Sequence, residues 1–167
     1  MEPDFSGYAT KSGLRCSDGR TIMPGAFSEQ SGDRVPLVWQ HGHGDPMNVL
    51  GHAQLEERPD GIYAYGFFNN TESANQAKSL VEHGDIVAMS IHANKLVEKS
   101  KNVLHGKIRE VSLVLSGANP GALIDNVNIR HSDGDIEERT LVMVLVWCWT
   151  VRGLAALTLT TASRVMF

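Results

Sequence analysis

Hydrophobic and polar positions alternate along much of the first two thirds of the chain, the period-2 signature of strands with one buried face. Phe5-Ser-Gly-Tyr-Ala9 and Val35 to Gln40 read as strands. Asn48 to Leu55 and Ile62 to Phe68 flank Pro59-Asp60-Gly61, a strong turn tripeptide, and predict a hairpin. Asp85 to Ala93 alternates so that Ile86, Ala88, Ser90 and His92 share one face and Val87, Met89 and Ile91 the other, and Lys107 to Leu115 alternates in the same way. The period changes at Glu72 to His83, where Ala74, Ala77, Leu80 and Val81 fall at helical spacing between a capping Asn70 or Thr71 and a terminating Gly84. The expected fold is α+β: a mainly antiparallel β domain with one secure helix.

The pattern breaks near Glu138. All 19 Asp and Glu precede that point, giving residues 1–138 a formal charge of −7 against their 12 Lys and Arg; the remaining residues carry three Arg and no acid. Leu141 to Trp149 is an unbroken apolar run, and Gly153 to Ala162 is nearly as apolar. Together they approach the length of a membrane span, with Arg152 a costly charge at its centre. Three readings compete: a buried or partner-bound terminal segment, a weak membrane segment, or a tail unmatched to the fold, as an altered reading end would produce. The expected organisation is a catalytic domain over residues 1–136 and an atypical apolar tail over 137–167, with membrane association the lesser reading.

With 167 residues the chain has room for one domain with a real core. A formal charge of −4 offers no basic stripe for phosphate neutralisation, which argues against nucleic acid as a partner. Cys16 and Cys148 lie far apart with no metal-ligand spacing and read as free thiols in a reducing compartment. The start, Met-Glu-Pro-Asp, lacks the pattern of a signal peptide, so a cytosolic setting is expected.

Three segments carry residues suited to nucleophilic catalysis. Serine needs a neighbouring base, and histidine is the side chain whose ordinary titration range suits that role near neutrality. Ser90 lies on a strand face where a hydroxyl is an odd choice for a core, although a solvent-facing edge serine is the blander reading. His41 ends an apolar strand and opens the loop His-Gly-His-Gly-Asp-Pro. Glu110 interrupts an apolar-leaning run with Ile108, Ser112 and Val114 on its face, so it marks either a partly buried polar site or the solvated side of an edge. The loop also invites a metal reading. His41, His43 and Asp45 match the start of the H-x-H-x-D-H pattern of binuclear metallo-hydrolases, but Pro46 stands where the next histidine belongs and His52 comes too late. No metal or other cofactor is expected.

In these residues the sequence resembles the HK97-type prohead (capsid maturation) serine proteases of tailed bacteriophages. The resemblance is carried, in order, by Phe5-Ser-Gly-Tyr-Ala-Thr10, a disordered-looking insert, Ile22-Met-Pro-Gly-Ala-Phe27, Val35-Pro-Leu-Val-Trp-Gln-His41, Val49-Leu-Gly51, Gly61-Ile-Tyr-Ala-Tyr-Gly66, Met89-Ser-Ile91, Glu110-Val-Ser-Leu-Val114 and Ala118-Asn-Pro-Gly-Ala122. It implies a small antiparallel β-barrel of herpesvirus-assemblin type edged by helices. It also implies a serine endopeptidase with His41 as general base, Ser90 as nucleophile and Glu110 as the acid that orients the imidazole. Assemblins use a second histidine in that third place, which keeps His105 as an alternative. The implied substrates are the phage major capsid protein, scaffold segments and the enzyme itself, within the assembling procapsid in the host cell cytoplasm. Two features depart from the pattern: His92-Ala-Asn follows Ser-Ile where a glycine and an aromatic are more usual, and the last 29 residues have no counterpart. The other readings are a metal-dependent hydrolase built on His41, His43 and Asp45, and an inactive capsid-assembly scaffold module.

Overall fold

A computed structural model of the chain describes residues 2–130, 135–142 and 160–164. Most of the apolar run beyond Val142, with Cys148 and Arg152, and the polar stretch Ser132 to Gly134 lie outside the described residues. In chain order the elements are β1 (Phe5–Lys11), β2 (Thr21–Ile22), β3 (Arg34–Trp39), β4 (Val49–Arg58), β5 (Gly61–Phe68), α1 (Glu72–His83), β6 (Ala88–Lys99), β7 (Asn102–Val114), β8 (Ile124–Arg130), β9 (Ile136–Val142) and β10 (Thr160–Arg164), with short 3-10 turns at Ser28–Gln30 and Pro46–Asn48. No helix among the described residues is long and apolar enough to cross a membrane.

The expected hairpin and helix form where the pattern places them. β4 and β5 pair antiparallel from Gly51↔Phe68 to Arg58↔Gly61. Gly61 closes this hairpin at φ +142, and a side chain there would run into the backbone of Thr10 on the neighbouring β1. The Thr71 hydroxyl accepts a hydrogen bond from Ala74 N–H at the start of α1, and Gly84, left-handed at φ +91, donates to the carbonyls of Leu80 and Val81 at its end. Arg139 on β9 donates to the Glu82 carbonyl, satisfying another orphan acceptor of that last turn. Ala74, Ala77 and Val81 turn into a core built on Phe5, Leu37, Leu50, Leu55, Met89 and Leu113.

The strands form one sheet in the order β10-β9-β8-β1-β5-β4-β3-β7-β2, with β6 paired to β7 off this path. This corrects the expected closed antiparallel barrel in three respects. The sheet does not close: Met89 N–H to Ala122 O and Ile124 N–H to Val87 O bring the start of β6 up to the approach to β8, but the rest of β6 pairs with β7 alone. Register shifts at His92/Ala93, Asn94/Val97 and Val97/Glu98 bulge and twist β6 away, and closure requires a consistent stagger all round. Two pairings, β3 with β7 and β2 with β7, are parallel, because β4, β5, α1 and β6 form the crossover between β3 and β7. Finally, the described residues contain one α-helix rather than several at the periphery.

The insert between Lys11 and Thr21, disordered-looking in sequence, is built from backbone hydrogen bonds. Gly13 N–H reaches Ile22 O, Cys16 N–H reaches Arg20 O, and Ser17 N–H reaches Ala118 O. Such bonds order a segment without any hydrophobic period, so the alternation could not have announced it.

Candidate active site

β7 is the platform of the site. From Val103 to Glu110 its residues alternate broadly between buried and exposed, and from Glu110 to Val114 every residue is buried as the strand passes between β3 and β6. Glu110 therefore sits where the strand leaves water, its side chain 4% exposed. A buried carboxylate is costly unless its oxygens are satisfied. Here Oε1 accepts a 2.7 Å hydrogen bond from His41 Nδ1, and Oε2 accepts a 2.7 Å bond from the Ser112 hydroxyl. An ionised carboxylate can only accept, so in this pair Nδ1 is the donor, and in the neutral tautomer that makes this bond Nε2 is the acceptor nitrogen.

His41 reaches Glu110 through a forced turn. β3 ends at Trp39, and both Gln40 and His41 then adopt left-handed backbone, φ +49 and +56. Each such non-glycine residue costs about 1–3 kcal/mol, so the surroundings must hold them. Gln40 N–H donates to Leu113 O, Gly42 N–H to Trp39 O, and His41 N–H to the Ser112 hydroxyl at 3.0 Å. Asn48 donates its side-chain amide to Gly42 O.

Ser90 lies on β6 directly opposite Ser112, and His92 directly opposite Glu110. Paired residues of an antiparallel ladder project to the same side with Cα atoms about 4.5–5.5 Å apart, so Ser90 shares a face with Glu110 and Ser112. His41 joins that face from the β3 side, and the His43 ring tilts against His92 at a centroid distance of 5.1 Å. The Ser90 hydroxyl has no hydrogen-bond partner among the described residues, and Ser90 borders a cleft whose lining does not include His41, Glu110 or Ser112.

That cleft, of about 230 Å³, is lined by Ser90, Ala93, Cys16, Arg20, Phe27 and Asn119 among others. The insert forms one wall. Burial, then the nearby Asp18, pushes the Cys16 thiol up, while a hydrogen bond from Arg20 holds the Asp18 carboxyl down. Arg20 also reaches Glu98, but at about 40% exposure these pairs are worth little to stability.

Two alternatives read from sequence are not assembled. His105 is exposed on β7 opposite Val97, five residues and about 17 Å from Glu110. The residues of the metal reading have other partners: His41 Nδ1 pairs with Glu110, Asp45 accepts from Met47 N–H to cap the turn at Pro46–Asn48, and His43 packs on His92. Among the described residues no three His, Cys, Asp or Glu side chains are grouped to hold a metal ion.

A family described as caudovirus prohead serine protease matches residues 2–135. The chain belongs to this family. The match stops one residue short of β9. Among solved structures, this prohead protease family member is similar to KSHV protease in a crystal structure with a hexapeptide phosphonate inhibitor, at 13% identity and a TM-score of 0.53. The likeness covers 71% of this chain and 62% of that one, and it establishes a shared fold. Comparison with curated proteins finds no match.

Sequence reasoning missed what Ser112 does. The signal was present, since a serine two residues from Glu110 on an alternating strand must share its face. Asn119, whose amide ties Thr10, Lys11 and Gly121 together, could not be singled out from pattern because its partners are distant in sequence.

Proposed function

We propose that the chain is a serine endopeptidase that processes capsid and scaffold protein segments, and itself, during procapsid maturation within the host cell. Ser90 is the nucleophile, His41 the general base and Glu110 the orienting acid. The observation that carries this reading is the 2.7 Å bond from His41 to the buried Glu110, on the face where Ser90 stands opposite Ser112.

The Ser90 oxygen attacks the scissile carbonyl carbon as its proton passes to His41 Nε2. The C–N bond breaks when that proton is delivered to the departing amine, leaving an acyl-enzyme. A water molecule, deprotonated by the same nitrogen, then attacks the ester carbon, and the proton returns to Ser90 as the new carboxyl end leaves. Glu110 stays ionised, fixing the ring tautomer and stabilising the imidazolium that forms in each half. The outer edge of β6 beyond Met89 is unpaired among the described strands, and it suits a substrate docking as an added strand with a side chain in the cleft.

The test is intact mass against time for the wild type, Ser90→Ala and His41→Ala, with and without EDTA, alone and mixed with a capsid or scaffold protein. Cleavage that disappears in both variants and ignores EDTA is expected. Cleavage abolished by EDTA and retained in Ser90→Ala refutes the assignment, and an inert, well-folded wild type points to the scaffold module.

A further inference from the structure

We infer that Ser112 is a positioning residue of the proposed catalytic pair, a single hydroxyl that fixes both members at once. The inference rests on the reading of His41 and Glu110 given above. Ser112 is fully buried between Val111 and Leu113, which are equally buried. A hydroxyl in that place requires partners. It donates to Glu110 Oε2 at 2.7 Å and accepts from His41 N–H at 3.0 Å. The two bonds act on different parts of the site. The first leaves Oε1 alone free to receive the imidazole, and so selects the carboxylate orientation. The second anchors the left-handed backbone of His41, where the ring attaches.

Ser112 is not a rival nucleophile, because its proton is committed to Glu110 and it has no solvent access. Its place opposite Ser90 makes β7 the common reference from which base, acid and nucleophile are set. The titratable groups around Glu110 are His41 from the loop after β3 and His92 from β6, with His43 packed on His92; the β3 residues alongside, Leu37 to Trp39, are apolar.

A hydrogen bond donated to a carboxylate favours its ionised form. Without the Ser112 hydroxyl the His41–Glu110 unit holds its proton more tightly, and the acid limb of any base-dependent rate moves to higher pH. A merely structural serine lowers the folded fraction and leaves that limb where it was.

The probe is a fluorophosphonate, which forms an O–P bond to an activated serine with loss of fluoride and needs no identified substrate. Its labelling rate is followed by intact mass across pH for the full chain, Ser112→Ala, Ser112→Thr and Ser112→Val, beside thermal melts. Thr and Val add nearly the same bulk and differ in the hydroxyl, so comparing them separates chemistry from packing if Ser112→Ala folds poorly. The expected result is labelling about tenfold slower or more in Ser112→Ala and Ser112→Val, with the acid limb shifted upward, and substantial recovery in Ser112→Thr. Equal rates for Thr and Val, or an unmoved limb with loss matching the unfolded fraction, overturn the positioning role while leaving the proposed function standing. Labelling that persists in Ser90→Ala removes that function, and the positioning role with it.

Discussion

At the scale of single residues the site turns on how a buried carboxylate is satisfied. Among the described residues Glu110 receives one neutral donor, Ser112, and one imidazole, His41. Glu110→Gln keeps the size of the side chain and removes the charge that, in the proposed mechanism, stabilises the imidazolium. Its fluorophosphonate labelling rate is expected to fall on the order of 10²–10⁴-fold with little change in melting temperature. His105→Ala, altered on an exposed part of β7, should label at the wild-type rate, and the reverse pattern would refute the choice of Glu110. Much of this neighbourhood was legible, because His41, Ser90 and Glu110 each stood out against their local pattern. The sequence could not show whether Glu110 faced water or the interior, since alternation fixes which residues share a face and not which face is covered. The covering comes from β3, about seventy residues earlier in the chain.

At the scale of elements, the parts that read most clearly were those closed by local rules: the β4–β5 hairpin around its turn, and α1 between Thr71 and Gly84. The parallel pairings of β7 and the ordered insert were not legible, because both are made by partners far apart in sequence. Asn119 shows how such order is secured. Its amide donates to Thr10 Oγ1 and Lys11 O while its oxygen accepts from Gly121 N–H, locking the end of β1 to the loop that precedes β8. Asn119→Ala removes these bonds from a buried position and is expected to cost about 2 kcal/mol, lowering the melting temperature by roughly 4–8 °C. An unchanged melt would show that the loop is held by something else.

At the scale of the whole molecule the open question is where the catalytic unit ends. The family match stops at residue 135, and a boundary near Ile136 was expected from the change in composition. Yet β9 pairs with β8 from Asn126↔Thr140 to Arg130↔Ile136, and Leu141 packs against the core. We propose that the unit includes β9 and, paired to it from Thr160↔Val142 to Arg164↔Glu138, β10. A chain ending at Val142, which lacks β10, should then melt below the full-length protein, and one ending at Ile136, which loses β9 as well, should melt lower still and aggregate through the exposed β8 edge. Equal stability of all three chains would return the boundary to Ile136. The sequence signalled a discontinuity here because acidic residues stop, but charge marks where composition changes and pairing marks where the sheet does.

The thiol in the cleft wall has a practical consequence. Cys16 is buried, and its upward shift leaves little thiolate to meet a general alkylating reagent from bulk water. It shares a cavity with Ser90. A peptide that fits the cleft and carries a mild electrophile would deliver that group to Cys16 at high effective concentration, turning an inert cysteine into an address for covalent labelling that reports occupancy of the cleft without consuming Ser90.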